Sequence, residues 1–408
     1  MSKLAERILA FNHDLLPDMV QLKYEAMAEN EFRFYRGTCH LFYEDLVQDQ
    51  SFPDGPLTWI SGDLHLENFG SYKAQNRLVY FDLNDFDESV LAPATWELAR
   101  LVTSIFIAFD SLEIEREKAE NMAHVYLKSY TSTLSKGKAF SIEPRTAKGI
   151  VKDFLNAAEK TKQSDLLKKR TVKKKRKVHL SLSDERHFKL TRPERRDLYE
   201  HIERWIEHNN DSPYNYKVKG AVFRVAGTGS LGLKRYLILL KSKIEKNDYL
   251  LVDMKQSRSS SLLPYLSNPQ PQWESEADRI VIVQQRMQYI SSSLLSTTNY
   301  KGEPYVIQEL QPVKDTIKFK LIKDQYRDIY QVIDDMGLLT ASSHLRSGGI
   351  HSSATIDELV DFAAAEGWQE QLIQYALKYA DKVKRYYRQY LLDYERGVFN
   401  KEAQLKLA

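Results

Sequence analysis

The 408-residue sequence has a single cysteine, Cys39. One thiol excludes an internal disulfide and a cysteine-based zinc cage, and a reducing compartment is expected. No apolar run approaches the ~18 residues that a membrane span needs. The longest, around 101–109, is interrupted by Thr103 and Ser104. The N-terminus, Met1-Ser-Lys-Leu-Ala-Glu-Arg7, carries Glu6 where a secretory leader is apolar, so export by that route is not expected. Internal repeats are lacking, and so is an excess of one charge. Lys and Arg number 59 against 56 Asp and Glu, a net +3, which on its own indicates no particular partner. What is present is apolar material, 42% of residues against 28% charged. That is ample for a core, and the length suits two packed lobes. A soluble, cytoplasmic globular protein is the expectation.

The charge is uneven. Eight basic residues (Lys168, Lys169, Arg170, Lys173, Lys174, Lys175, Arg176 and Lys177) fall in one run, without which the balance is −5. Like-charge repulsion predicts a solvated, mobile segment. An anionic partner at 168–177 is the alternative: nucleic acid, anionic lipid or a polyphosphate. No aromatics are interleaved, so base stacking is not indicated.

Residues 4–50 read as helical, with Gly37 the only glycine. Strands are expected at Leu57–Ile60 and Arg77–Phe81, then helices from Thr95 to about Leu134, at Lys148–Lys162 and at Arg192–Glu207. The turn formers Asn209-Asn-Asp-Ser-Pro213 mark the best boundary. Strands follow at Val218–Ala226, Gly232–Lys241, Tyr249–Met254 and Tyr305–Leu310, with one helix, Ser275–Leu295, among them. The rest is helical, broken at Ser347-Gly-Gly349. Three parts result: a helical part (1–208), a β-rich part (209–322) and a second helical part (323–408), which is an α+β class.

Ser61-Gly-Asp63-Leu-His65-Leu-Glu67-Asn68 places Asp, His, Glu and Asn within six residues, and Asp82, Asp85 and Asp87 follow after a strand. Phosphoryl transfer from a nucleotide needs a carboxylate to orient the acceptor hydroxyl. It also needs an amide oxygen and a second carboxylate to hold magnesium against the phosphates. Asp63 fits the first role, Asn68 the amide, and Asp82 or Asp85 the carboxylate. A capping turn followed by a solvated acidic loop is the bland alternative. A metal hydrolase using His65 with Asp63 ranks below both, because no second histidine is paired with it.

Gly227-Thr-Gly229-Ser230-Leu-Gly232 lies between two β-prone runs. Such glycines bring backbone N–H groups against phosphate oxygens. A dinucleotide-binding fold requires strand–loop–helix, whereas Tyr236–Leu240 is strand-like, so strand–loop–strand is the better reading. Lys255, near the end of the third strand, is where a kinase holds the nucleotide's phosphates; an edge-strand surface lysine is the alternative. Its partner on the next helix, where a kinase has a glutamate, stays open among Glu274, Glu276, Gln284 and Gln285, with Glu276 taken forward. Tyr305–Leu310, with Glu309, reads as the strand leading to an adenine-binding hinge. Arg36 would reach a phosphate or pair with a carboxylate at a lobe interface. His344 and Arg346 end a helix, where they face its last carbonyls or contact the back of the 62–68 loop.

Gly62-Asp-Leu-His-Leu-Glu-Asn68 resembles the Gly-Asp-x-His-x-x-Asn loop of aminoglycoside and choline kinase-like phosphotransferases. Phe81-Asp82-Leu83 and Asn84-Asp85-Phe86 both resemble that group's second motif. Glu97-Leu-Ala99, twelve residues past Asp85, favours Asp85. The order of the parts is reversed relative to kinases, so the resemblance implies a circularly permuted, bilobal, protein-kinase-like fold. The chain also resembles an uncharacterised bacterial family known as domain of unknown function 2252. That resemblance rests on Phe32–Gly37, Gly62–Gly70, Phe81–Glu88, Trp96–Arg100, Gly227–Gly232, Val252–Gln256 and His344–Gly348. The family typically has Lys-Glu where this chain has Lys255-Gln256.

The expectation is an ATP- and Mg-dependent phosphotransferase acting on a small hydroxyl compound or, less favoured, a protein. Asp63 and His65 are the candidate catalytic residues. Gly227, Gly229, Ser230, Gly232, Lys255, Glu276 and Glu309 are the candidate nucleotide contacts, and Asn68, Asp82 and Asp85 the candidate metal ligands. Nucleotidyl transfer to a protein (AMPylation) with the nucleotide turned round is an alternative. So is a nucleotide-sensing pseudokinase, or a nucleic-acid-binding protein using the basic run.

Overall fold

The structure is a computed structural model that describes residues 1–175, 177–183, 186–209, 212–227, 229–311 and 316–400. Four short helices open the chain: Lys3–Phe11, Pro17–Ala28, Glu31–Gly37 and Cys39–Leu46. Their starts follow local chemistry. Ser2 and Asn30 side chains accept the N–H groups of Ala5 and Arg33, and Pro17 occupies a first-turn position that needs no donor.

The central helix, Ala94–Ser111, is buried along nearly its whole length. Helix Arg116–Leu134 packs beside it, helix Tyr326–Arg346 packs on Arg116–Leu134 in turn, and the last helix, Trp368–Glu395, lies against both the central helix and the first helices. One hydrophobic core therefore runs from Leu4 to Phe399 and joins the two helical ends of the chain. Among the described residues no helix is long and apolar enough to cross a membrane.

The β-rich part is a six-stranded antiparallel sheet. Its order is Ser296–Tyr300, Glu303–Glu309, Tyr249–Gln256, Arg235–Ser242, Tyr216–Arg224 and His187–Phe188. Side chains alternate between its faces, as the period of two requires. Ile238, Leu240, Val252 and Met254 meet Leu198, Ile202, Trp205 and Ile206 of helix Arg192–His208. Leu237, Leu239 and Leu251 meet Leu180, with Leu166 and Leu167 packed alongside.

The sheet's packing unit thus begins before the 209–213 turn, because helix Arg192–His208 spends its apolar stripe on the sheet. Asn210 and Asp211 of that turn lie outside the described residues. The basic run is built into this unit as well. It forms the end of helix Gln163–Arg170 and the hairpin Thr171–Lys174 with Lys177–Leu180; Arg176 lies outside the described residues.

Helix Glu276–Met287 sinks Ala277, Ile280, Val281, Val283 and Met287 into the helical core. It stops eight residues short of the expected end. Ser291, Ser292 and Ser293 follow, whose hydroxyls compete with helical bonding, and the chain then enters strand Ser296–Tyr300. Helix and strand content together make an α+β protein.

Candidate functional site

The loop after strand Leu57–Ile60 is held from behind by the central helix. Glu97, in its first turn and fully buried, accepts from Ser61 N at 2.6 Å, Ser61 Oγ at 2.5 Å and Gly62 N at 3.3 Å. His344 Nε2 lies 2.9 Å from the other Glu97 oxygen, and Tyr130 Oη lies 2.9 Å from His344 Nδ1. His344 therefore stands behind this loop and reaches it through Glu97. Gly62 sits at φ +84°, and a Cβ there would collide with the Glu88 carbonyl. Only glycine makes this turn without strain.

One helical turn beyond Glu97, Arg100 is fully buried and grips Asp63: Nε and Nη2 donate to Oδ1 at 2.8 and 2.5 Å. Burial pushes the Asp63 carboxyl up to about 6; Arg100 pulls against this, while Glu88 and Asp85 add to it. A carboxylate tuned to that range suits proton acceptance near neutrality. His65 is buried, and its Nδ1 accepts from Glu67 N at 3.2 Å, capping the short turn Leu66–Asn68. Burial, then the charges of Arg36 and Arg100, hold its imidazole neutral. Its visible work is to shape the loop. The Asn68 side-chain amide donates to the Asp63 carbonyl, which orients its oxygen as the atom left for a ligand.

Strand Val79–Leu83 pairs with Phe69–Lys73 and leads into the acidic loop. Asp82 is buried, accepts from Leu83 N at 2.9 Å and Tyr289 N at 3.4 Å, and lies 3.3 Å from Arg346 Nη2. Burial raises its pKa against Arg346's pull. Arg346 also donates to the carbonyls of Met287 and Phe140, so it ties Asp82 into the frame. Asp85 and Asp87, by contrast, face the cleft.

The glycine loop connects strands Tyr216–Arg224 and Arg235–Ser242, a strand–loop–strand turn. Thr228 lies outside the described residues. Gly232 has φ +104°, and a Cβ there would lie 2.7 Å from Leu15; its carbonyl accepts Leu16 N at 3.0 Å. The loop is thereby seated on the N-terminal helices. Lys255 stands between Arg235 and Val306 in the sheet, and its ammonium is paired with Asp87. Burial works against that charge, but Asp87 and then Asp85 outweigh it and raise the pKa. Ser230 Oγ also reaches Asp87, at 3.4 Å. Glu276, taken forward from sequence as the lysine's partner, instead holds Arg279 at 2.7 Å and Ser259 at 2.9 Å. On the same wall Asp253 is buried between Arg224 (2.6 Å) and Arg235 (2.6 Å).

These elements enclose a cleft of about 600 Å³ between sheet and helical core. Asn68, Asp85, Gly227, Ser230, Lys255 and Glu309 all line it, with Asp87, Arg224, Arg235 and, from the basic run, Lys169 and Arg170. An inner pocket of about 50 Å³ adjoins it through Arg36, Asp85, Asp87 and Ser230, and there Asp63 and Gly229 are found. His65, Asp82, Gly232 and Glu276 line neither space. Arg36 pairs with Glu67 at the junction.

Arg100, Glu97 and Asp87 were not among the sequence candidates. Glu97 and Arg100 had a signal: two charges, three residues apart, on one face of an otherwise apolar helix. Among the described residues, no group of three or more His, Cys, Asp or Glu is arranged to hold a metal ion.

Fold and cleft define an α+β protein whose glycine loop and acidic loops converge on one charged cavity. The family model described as "Uncharacterized protein conserved in bacteria (DUF2252)" matches residues 15–393, and the chain belongs to that family. No curated protein and no solved structure matches it.

Proposed function

We propose that this chain is an ATP- and Mg-dependent phosphotransferase with a circularly permuted kinase-like fold, acting on a small hydroxyl compound. One observation carries the reading: residues 68, 85, 227, 230, 255 and 309, scattered over most of the chain, line a single cleft. The sheet supports it too. Glycine-loop hairpin, lysine-bearing third strand, helix and two further strands follow in the order that the resemblance implies for a nucleotide lobe.

In this reading the glycine loop covers the phosphates, and Lys255 exchanges Asp87 for a phosphate oxygen. The segment Glu309–Gln311 borders the base. Asn68 and Asp85 would hold magnesium, a sparse donor set that suits an ion which keeps waters and takes its other ligands from phosphates. When bound, magnesium neutralises phosphate charge. Asp85 is preferred over Asp82, because Asp82 is committed to Arg346 and two backbone N–H groups. Asp63, fixed through Oδ1 by Arg100, orients the acceptor hydroxyl and takes its proton. His65 supports the loop and performs no chemistry.

Nucleotidyl transfer with the nucleotide turned round draws on a specific observation as well: Arg224 and Arg235 share one carboxylate on the cleft wall and offer phosphates a second seat. A product screen by phosphorus NMR decides. Transfer that yields ADP and vanishes in Asp63→Ala supports the proposal. Release of pyrophosphate supports the alternative, and no turnover of any nucleotide contradicts both.

A further inference from the structure

We propose that Lys23 binds an anionic group of the acceptor, so that the acceptor is a small hydroxyl compound with a carboxylate close to its hydroxyl; this rests on the phosphotransferase reading. Lys23 lies on helix Pro17–Ala28 and is only 2% exposed, an unusual place for an ammonium group. It lines the inner pocket together with Asp63.

The other charges around that pocket have acidic or basic partners, or tight hydrogen bonds. Arg36 has Glu67, Arg258 has Asp14 at 3.5 Å, Asp63 has Arg100, and Asp87 has Lys255 until a nucleotide takes the lysine. Glu88 accepts from Ser261 N at 2.5 Å and Ser260 Oγ at 3.1 Å. Asp85 belongs to the proposed metal.

Lys23 donates to a neutral group, Asn12 Oδ1, at 2.8 Å, and stands 5.3 Å from the centre of the Phe11 ring. Among the described residues it makes no ion pair. Arg258, stacked 4.8 Å from the centre of that ring, adds a second positive charge and forces Phe11 to serve both. Behind Phe11 lies His40, stacked at 3.8 Å, with neither ring nitrogen hydrogen-bonded.

A buried ammonium without an ion pair is costly by the general rule for buried ions, and Glu88 and Asp63 favour its charge only from a distance. Burial, with Arg258 next, lowers its pKa to about 8, which leaves it largely charged near neutrality. An anion arriving beside it relieves that cost and is held by it. The inner pocket, about 50 Å³, has room for a compact group such as a carboxylate. An acceptor bearing ammonium near its hydroxyl is repelled by Lys23 and Arg258 together.

The test is calorimetry on the full chain with a matched series: glycerate, glycerol, aminopropanediol and glycerol phosphate. Glycerate is expected to bind about 10–100-fold tighter than glycerol, the range for a hydrogen bond to a charged group. Aminopropanediol should bind weakest. Lys23→Gln should remove the preference, Lys23→Arg should keep it, and neither should change Mg·ATP affinity. Glycerol phosphate outranking glycerate would move the assignment from carboxylate to phosphate and overturn the stated acceptor class. Equal binding of the first three probes, or a preference that survives Lys23→Gln, overturns the Lys23 assignment. The wild-type ranking decides alone if Lys23→Gln fails to fold. If wild type binds no nucleotide, the phosphotransferase reading falls, while the ranking still tests Lys23 as an anion site.

Discussion

The two loops that meet in the cleft are built in opposite ways. The loop Ser61–Asn68 is buried except at Asp63 and Glu67, and is tied at nearly every step. Ser61 and Gly62 are bound to Glu97, Asp63 to Arg100, Leu66 N to Ser104 Oγ at 3.2 Å, and Asn68 to the Asp63 carbonyl. The glycine loop is tied mainly at its margins: Val225 N to Arg186 O at 2.9 Å, Lys234 N to Gln256 Oε1 at 3.0 Å, and the Gly232 carbonyl to Leu16 N. Among the described residues its middle has the Leu233 N to Ser230 O bond at 3.2 Å and the long Ser230–Asp87 contact. The comparison fits the two jobs that the proposed function assigns. A group that handles a proton must stand in a fixed place before the substrate arrives. A loop that wraps phosphates must yield to admit them, and few bonds in its middle make that cheap.

The largest expected effect lies in the rigid loop. Asp63→Asn keeps the shape and should slow turnover by ~10²–10⁴-fold, the range for losing a general base. Steady-state kinetics with nucleotide binding measured alongside checks this; equal losses in both would mean that the loop had moved. Next comes Glu97→Ala, which strips partners from Ser61, Gly62 and His344. It should cost about 3–5 kcal/mol of stability in urea unfolding, as for breaking a buried charged network. A neutral result would break the comparison, because the rigid loop would then owe its shape to something else.

Gly232→Ala probes the other loop. It forces a side chain into φ +104° and against Leu15. The expected cost is about 1–3 kcal/mol, read as a lower melting temperature and, through the unseated loop, as weaker nucleotide binding.

The pH profile is a finer test. In the proposed reaction Asp63 is the base and serves only when ionised, so turnover should fall as pH drops through about 6, tending to about tenfold per unit below it. An inflection near the ordinary carboxylate range would mean that burial does not tune this group.

The same contrast explains what was legible in the sequence. Local patterns were readable: the glycine loop between strands, the third-strand lysine, and most helices of the two ends. Each depends on residues close along the chain. What was missed is long-range. Lys255 meets Asp87, 168 residues away, because the third strand crosses over the acidic loop. Glu276 was plausible by helix position, yet the helix turns it toward Arg279 and Ser259. Helix Arg192–His208 read as part of the helical lobe because its charge pattern does not reveal which surface its stripe of Leu198, Ile202, Trp205 and Ile206 covers. Asp82 and Asp85 have the same chemistry in one dimension; only packing against Arg346 separates them.

The most direct measurement is calorimetric titration of ATP, with and without magnesium, into wild type, Asp85→Ala and Asp82→Ala. The account predicts magnesium-dependent binding to wild type, loss of that dependence in Asp85→Ala, and its retention in whatever fraction of Asp82→Ala remains folded. Binding to wild type that ignores magnesium, no binding of nucleotide, or an Asp85→Ala protein with unchanged magnesium dependence would contradict it.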